Sequence, residues 1–230
     1  GTDTIVVTWT SDGSKTVSLD VWNRCGTNTC SKTVAVEKKP VCAIDGPELG
    51  CVGATSTFKS TGANVTAWDW TVTGGTFTGD GTNTIVVTWN TVGTGKVELK
   101  ATNRCGDSTC SQDVAVEKKP VCTIDGPELG CVGATSTFKS TGTNVTAWDW
   151  TVTGGTFTGD GSNTIVVTWA TAGTGKVELK VTNRCGDSTC SQEVAVEKKP
   201  VCAIDGPELG CVGATSTFKS TGTNVTAWDW

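Results

Sequence analysis

The chain has 230 residues, a formal net charge of −5 and twelve cysteines, and it contains no histidine, methionine or tyrosine. The mild acidity argues against a nucleic-acid partner, because phosphate binding requires concentrated Lys and Arg. No apolar run resembles a signal peptide or a membrane span. Twelve cysteines without histidine favour a disulfide framework in an oxidising compartment, with a cysteine-only zinc site as the alternative.

The sequence repeats itself with a period of 80 residues. The stretch VEKKPVC occurs three times, beginning at Val36, Val116 and Val196. Two complete copies of the unit differ at seven positions only, all of them mild exchanges. This self-similarity predicts four segments: a partial repeat at 1–40, complete repeats at 41–120 and 121–200, and a partial repeat at 201–230.

Each complete repeat is predicted to contain seven short strands, because Gly, Asn and Asp interrupt it at short intervals and no helical periodicity occurs. In the first complete repeat they span 42–47, 54–61, 65–74, 75–81, 84–90, 96–102 and 111–117. The partial repeats would supply the last three strands (1–40) and the first three strands (201–230). The predicted fold is therefore all-β, a tandem array of seven-stranded antiparallel sandwiches.

Alternating apolar residues define one predicted core per repeat. In the first complete repeat they are Ile44, Phe58, Trp68, Trp70, Val72, Ile85, Val87, Trp89, Val97, Leu99, Val114 and Val116. Trp68 and Trp70 are interpreted as core residues. The alternative is that they are exposed and bind carbohydrate by stacking on sugar rings. A domain of 80 residues has a marginal core, so covalent bracing is expected.

Three stretches carry a resemblance to a known family: WDW at 68–70, GTNTIVVTW at 81–89 and ATNRCG at 101–106. They resemble the PKD-like, immunoglobulin-type domains that occur in tandem on bacterial surface proteins, notably those of Bacteroidota. The resemblance extends over the complete and partial repeats alike. It implies a sandwich fold, an extracellular or cell-surface location and a structural, non-enzymatic role.

The cysteines are predicted to pair locally, because each pair brackets a short connection. The predicted disulfides are Cys25–Cys30, Cys42–Cys51, Cys105–Cys110, Cys122–Cys131, Cys185–Cys190 and Cys202–Cys211. The alternative, which joins the first strand of a repeat to its last hairpin, stays open at this point.

Candidate modification and metal sites recur with the repeat. Sequons for N-glycosylation occur at Asn64, Asn144 and Asn224. The Asp-Ser-Thr motifs at Ser108 and Ser188 are similar to the O-glycan acceptor pattern of Bacteroidota and are expected to lie in a hairpin loop. No cofactor is expected, although Asp80 lies in a GDG turn that is a candidate for calcium. An enzyme is not expected, because no histidine is present and near-identical repeats offer no unique catalytic constellation.

The incomplete repeats at both ends predict a longer functional object. Neither partial repeat buries its apolar residues alone, and unpaired strand edges invite pairing with another chain. Two explanations fit: the 230 residues are part of a longer continuous array, or the tail of one molecule completes the head of the next. Both predict an extracellular filament or the stalk of a surface adhesin. The alternative function is a multivalent carbohydrate- or protein-binding array that acts through avidity.

Overall fold

The computed structural model describes residues 2–230, and every regular element in that part of the chain is a β-strand. The chain forms two compact units, Gly1–Lys118 and Lys119–Trp230. Each unit contains one complete sandwich and one incomplete repeat. The predicted all-β fold of tandem immunoglobulin-like sandwiches is confirmed.

The first unit opens with a single hairpin and continues with the first complete sandwich. The hairpin consists of β1 (Gly13–Asn23) and β2 (Gly26–Val36). The sandwich strands are β3 (Ile44–Asp45), β4 (Leu49–Cys51), β5 (Thr55–Ser60), β6 (Ala67–Thr73), β7 (Gly75–Thr78), β8 (Thr84–Trp89), β9 (Gly93–Asn103) and β10 (Gly106–Glu117).

The second unit repeats this sandwich and ends in a less regular tail. The strands are β11 (Ile124–Asp125), β12 (Leu129–Cys131), β13 (Thr135–Ser140), β14 (Ala147–Thr153), β15 (Gly155–Thr158), β16 (Thr164–Trp169), β17 (Gly173–Asn183) and β18 (Gly186–Glu197). The tail contains only the short strands β19 (Ile204–Asp205) and β20 (Lys219–Ser220).

Two four-stranded sheets make up each complete sandwich. In the first, one sheet has the order β3-β5-β8-β7 and the other the order β4-β10-β9-β6. All pairs are antiparallel except β4 with β10, which run parallel. The predicted first strand, 42–47, is thus replaced by two short strands that belong to different sheets. A sandwich of eight strands results where seven were predicted.

The core lies between the two sheets and follows from the alternation of apolar and polar residues. Phe58, Ile85, Trp89 and Val97 are fully buried, and Phe58 packs edge-on against Trp89 at a ring-centroid distance of 6.2 Å. The predicted core residues Ile44, Trp68 and Val72 are half-buried and pack against this cluster. The second sandwich has the same core, with Phe138 and Trp169 at the equivalent positions.

The last hairpin of each sandwich is longer than predicted and its turn is shorter. Strands β9 and β10 stay paired up to Asn103 and Gly106, so the turn consists of Arg104 and Cys105 alone. The side-chain oxygen of Asn103 accepts a hydrogen bond of 2.8 Å from the backbone N–H of Cys105 and stabilises this turn. Ser108 therefore lies inside a strand, opposite Ala101, and not in a loop as predicted.

Candidate assembly interface

Two disulfides join the first strand region of each sandwich to its last hairpin. Cys42 is bonded to Cys110 and Cys122 to Cys190, with Cα–Cα distances of 5.6 and 5.5 Å. The predicted local pairs Cys42–Cys51, Cys105–Cys110, Cys122–Cys131 and Cys185–Cys190 are therefore wrong. The connection that the sequence left open, from first strand to last hairpin, is the one that forms.

The short turn explains why Cys105 and Cys110 do not pair. Cys105 lies at the tip of the hairpin, whereas Cys110 lies within β10 opposite Leu99. Five residues of extended strand separate their Cα atoms by about 16 Å, which is far beyond the reach of a disulfide. The Cys110 side chain instead meets Cys42 on the neighbouring chain segment.

The change of sheet explains why Cys42 and Cys51 do not pair. Ile44 pairs with Ser60 in one sheet, whereas Leu49 pairs with Ala115 in the other. The chain thus crosses the edge of the sandwich at Gly46 and Pro47 and does not fold back on itself as the sequence suggested. Cys51 continues along the second sheet, where its register partner is Glu117.

The predicted terminal pairs do not form either. Cys25, Cys30, Cys202 and Cys211 are free and exposed, so the pairs Cys25–Cys30 and Cys202–Cys211 are wrong. The reason at the first pair is the same as above, since Cys25 occupies the turn and Cys30 lies opposite Leu19 in the strand. Among the described residues Cys105 and Cys131 are also free and exposed.

The head of the chain, residues 2–36, presents an apolar surface that the complete repeats bury. Leu19 is 56% exposed, while its equivalent Leu99 is 1% exposed. Residues 4–9 form no strand, although the equivalent β8 is a central strand of its sheet. This difference arises because β8 needs β5 and β7 on either side, and the head contains neither. Only two of the three strands predicted for the head therefore form.

The tail of the chain, residues 201–230, also presents an apolar surface that the complete repeats bury. Trp230 is 74% exposed and Phe218 is 52% exposed, while the equivalent Trp150 and Phe138 are 3% and 0% exposed. The side chains of Trp228 and Trp230 line an open cavity of about 270 Å³ together with Ile204. Two short strands form where three longer ones were predicted, because the partner strands are absent.

In a complete sandwich the counterparts of head and tail pack against one another. Strand β6 pairs with β9, which places Trp70 opposite Leu99. Strand β5 pairs with β8, and β4 pairs with the end of β10. The tail contains the equivalents of β4 and β5 and the start of β6, and the head contains the equivalents of β8, β9 and β10. The strands equivalent to those of the tail and of the head thus pair with one another in a complete sandwich.

The head differs from the complete repeats at many positions, and two of them bear on the packing of its apolar surface. Lys15 occupies the position of Gly95, where an added Cβ would lie 2.4 Å from the Trp89 ring. Asp20 occupies the position of Lys100, which is the register partner of Asp69. In a sandwich with the packing of the complete repeats, Lys15 would overlap with the ring of Trp9, and Asp20 would lie opposite an Asp at the position of Asp69.

The tryptophans of the complete repeats are structural. Trp70 is 3% exposed, and its indole N–H donates a 2.9 Å hydrogen bond to the backbone oxygen of Thr82. Trp68 is half-buried against the core. The exposed tryptophans within residues 2–230 are Trp9, Trp22, Trp228 and Trp230, and all four lie in the incomplete repeats.

Asp80, the calcium candidate, fixes the backbone beside Trp70. One carboxylate oxygen accepts a 3.0 Å hydrogen bond from the backbone N–H of Trp70, and Asp160 does the same for Trp150. Residues 2–230 contain no cluster of three or more Asp, Glu or Cys side chains arranged to hold a metal ion. The calcium site thus stays a prediction.

The N-glycosylation candidates lie in tight, exposed turns. Asn64, Asn144 and Asn224 adopt left-handed backbone conformations with φ between 56° and 59°, which Asn tolerates better than most residues. The backbone oxygen of Asn64 accepts a 2.8 Å hydrogen bond from the side chain of Asn103. Asn64 itself is exposed. The three asparagines stay predicted acceptor sites.

The O-glycan candidates Ser108 and Ser188 are half-buried in the last strand of each sandwich. An exposed ion pair lies beside each of them: Lys100 with Asp107 at 3.3 Å, and Lys180 with Asp187 at 3.1 Å. The Lys180 ammonium, through its hydrogen bond and its charge, holds the pKa of Asp187 below its usual value. Glycosylation of the two serines stays a prediction.

These features define a tandem array of disulfide-braced immunoglobulin-like sandwiches. Residues 37–116 and 117–196 each match the PKD-like domain family, and the chain belongs to that family. Domains of this family, like intramolecular disulfides, are typical of extracellular structural or repeat modules and are typically not enzymes. The matched ranges begin four residues before the repeats predicted at 41–120 and 121–200, so they place the Glu-Lys-Lys-Pro segment at the start of each domain.

Solved structures resemble this chain at low sequence identity. The I-band fragment I67–I69 of titin is 13% identical, with a TM-score of 0.47, and the match covers 81% of this chain and 77% of that one. The fibronectin(III)-like modules of CbhA from Clostridium thermocellum are 16% identical, with a TM-score of 0.36 and coverage of 69% and 95%. A search of curated proteins finds no match. The described part of the chain has no apolar helix of membrane-spanning length.

Proposed function

We propose that the chain is a structural protein that forms an extracellular filament or the repetitive stalk of a large cell-surface adhesin. The observation that carries the proposal is the exposure of two matching halves of one sandwich core. Trp230 and Leu19 are 74% and 56% exposed. Their equivalents in the second complete repeat, Trp150 and Leu179, are 3% and 1% exposed and are register partners. A large exposed apolar surface of this kind marks a site of association.

The partner of each surface is a second copy of the chain. Residues 201–230 of one copy would add strands to residues 1–40 of the next, in the pairing that the complete repeats already use. Such a contact is heterologous and leaves a free head and a free tail at the two ends. It therefore grows into a linear polymer and does not close into a dimer.

Repetition and bracing support a mechanical role. Near-identical repeats give every unit the same length and the same stability, which suits a spacer. The Cys42–Cys110 disulfide ties the start of a sandwich to its last hairpin across 68 residues of sequence. A pull on the chain ends of one repeat would then be carried through this covalent link, and most of the core between the two cysteines would stay folded.

The burial of tryptophans favours this role over the multivalent binding array. A carbohydrate-binding repeat would present an aromatic face on each complete unit. In the complete repeats Trp70 and Trp150 are buried, and their indole N–H groups are used by backbone oxygens. The aromatic surfaces that are exposed belong to the incomplete repeats, where they serve association.

Sedimentation velocity and negative-stain electron microscopy of the 230-residue chain test the proposal. We expect linear polymers whose length rises with protein concentration. Phe218→Asp places a charge in the proposed interface and should prevent polymer growth. Val166→Asp is the matched control, since Val166 is a strand residue that is 40% exposed outside the interface. A chain that stays monomeric at all concentrations would contradict the proposal.

A further inference from the structure

Six cysteines outside the intramolecular disulfides are free thiols, and their positions form three complementary pairs. Cys25, Cys30 and Cys105 lie in the first unit, and Cys131, Cys202 and Cys211 lie in the second. We propose that these six thiols are disulfide sites that join the tail of one copy to the head of the next. The proposal rests on the head-to-tail association above and adds a covalent lock to it.

The first pair, Cys202 with Cys30, follows directly from the complete repeats. Cys202 occupies the position of Cys42 and Cys122, and Cys30 occupies the position of Cys110 and Cys190. Both complete repeats bond these positions, at Cα–Cα distances of 5.6 and 5.5 Å. When the tail completes the sandwich of the next head, the same pairing brings Cys202 and Cys30 to bonding distance.

Both members of the second pair, Cys211 and Cys105, are expected to lie beside Glu37. The Cys105 thiol lies 3.3 Å from the backbone oxygen of Glu37 and donates to it. Glu37 directly follows the head and occupies the position of Glu117. The register partner of Glu117 is Cys51. Cys211 occupies the position of Cys51 and would lie beside Glu37 when the tail adds to the head.

The third pair, Cys131 with Cys25, meets at the equivalent glutamate of the other copy. Cys131 is the register partner of Glu197, which precedes the tail. Cys25 occupies the turn position of Cys105. The Cys105 thiol contacts Glu37, the glutamate that precedes the repeat to which Cys105 belongs. In the completed sandwich the equivalent glutamate is Glu197 of the copy that donates the tail. All six free thiols are then used, with none left over.

Disulfide exchange with an oxidised low-molecular-weight disulfide such as glutathione disulfide supplies the chemistry. The thiolate of one cysteine attacks a sulfur of the donor and releases one glutathione thiolate. The second cysteine thiolate then attacks the protein sulfur of the mixed disulfide and releases the other. Each bridge oxidises two cysteines, reduces one donor to two glutathiones and transfers the two thiol protons to them.

Two variants of the full chain test the proposal. The first lacks the head thiols (Cys25→Ser, Cys30→Ser, Cys105→Ser), and the second lacks the tail thiols (Cys131→Ser, Cys202→Ser, Cys211→Ser). In glutathione disulfide the unmodified chain should form a covalent ladder on a non-reducing gel. Each variant alone should lose the ladder. An equal mixture should give a covalent dimer and nothing larger, because each variant offers only one half of the junction.

Peptide mapping by mass spectrometry identifies the bonds. We expect Cys30–Cys202, Cys105–Cys211 and Cys25–Cys131 between chains. Local bonds such as Cys25–Cys30, or covalent products from either variant alone, would overturn the inference. Polymers that sediment normally in reductant but give no ladder on oxidation would overturn the covalent lock and leave the head-to-tail proposal intact. The absence of polymers in both conditions would contradict the head-to-tail proposal itself.

Discussion

Residues 201–230 and 4–9 have the same or nearly the same sequence as their counterparts in the complete repeats, but not the same structure. In the second sandwich Trp150 and Phe138 are buried, whereas Trp230 and Phe218 in the tail are more than half exposed. Strand β16 (Thr164–Trp169) is central to its sheet, while the equivalent residues 4–9 form no strand. Each repeat position thus acquires its structure from strands that are distant in sequence, and local propensity alone does not supply it.

The largest expected effect comes from a fully buried tryptophan. Trp169→Ala should destabilise the second sandwich by about 5 kcal/mol, because it opens a large cavity and removes the hydrogen bond to the Ser136 hydroxyl. Denaturant unfolding should then show a separate early transition. The matched change Trp9→Ala, at the equivalent position of the head, should leave the unfolding of both sandwiches unchanged. Equal effects of the two changes would contradict the comparison.

Removal of an intramolecular disulfide is the next largest effect. Cys122→Ser with Cys190→Ser opens a loop closed over a sequence separation of 68 residues, which on the chain-entropy argument costs about 4 kcal/mol. The free energy of unfolding of the second sandwich in denaturant measures it. The control pair Cys30→Ser with Cys202→Ser should not change that free energy, since neither sulfur is bonded within one chain.

The equivalent glycines Gly130 and Gly210 differ in how closely they are packed. At Gly130 an added Cβ would lie 2.5 Å from the indole nitrogen of Trp169, whereas at Gly210 the nearest atom is 3.9 Å away. Gly130→Ala should therefore cost about 1–3 kcal/mol of unfolding free energy by overpacking. Gly210→Ala should leave folding unchanged and weaken polymer growth. If Gly210→Ala has no effect on sedimentation, the tail does not form the proposed interface.

Repair of the head should strengthen association. Lys15→Gly restores the glycine found at Gly95 and Gly175 and makes room for the ring of Trp9. Relief of the overlap, less the backbone entropy of glycine, should tighten association by about 1 kcal/mol, or roughly fivefold. Thr16→Gly, one residue along, carries the entropic cost without the relief and should not tighten it. Sedimentation over a concentration series distinguishes the two.

The smallest expected effect concerns an ion pair that the head lacks. Lys180 lowers the pKa of Asp187, so the pair stabilises the folded state above the usual Asp pKa. That contribution is lost as the pH falls through the lowered pKa. Unfolding curves of the parent chain and Asp187→Asn should therefore differ slightly at neutral pH and converge in acid. A difference that persists at pH values below both pKa values would contradict this assignment.

Much of the fold was predictable because it depends on local alternation. The strands at 54–61, 65–74 and 84–90 are found within one or two residues of the predicted bounds, and their inward residues form the core. The change of sheet at Gly46 and Pro47 was missed, because a Gly-Pro pair marks a turn but not its direction. The error in pairing Cys42 with Cys51 has the same cause, whereas the error in pairing Cys105 with Cys110 has another. A two-residue turn after Asn103, signalled only by Asn and Gly flanking Arg104 and Cys105, moved Cys110 into a strand.

The sequence by itself determined the repeat, the strand content and the alternation that divides core from surface, since each depends on residues close together in the chain. The tertiary structure decided which cysteines bond and which apolar residues are buried. Both depend on the choice of sheet for each short strand and on whether its partner strands are present. Cys42 bonds to Cys110, 68 residues away in sequence, because only a distant strand supplies a bonding partner for it. Trp230 stays exposed because the distant strands that would cover it are absent.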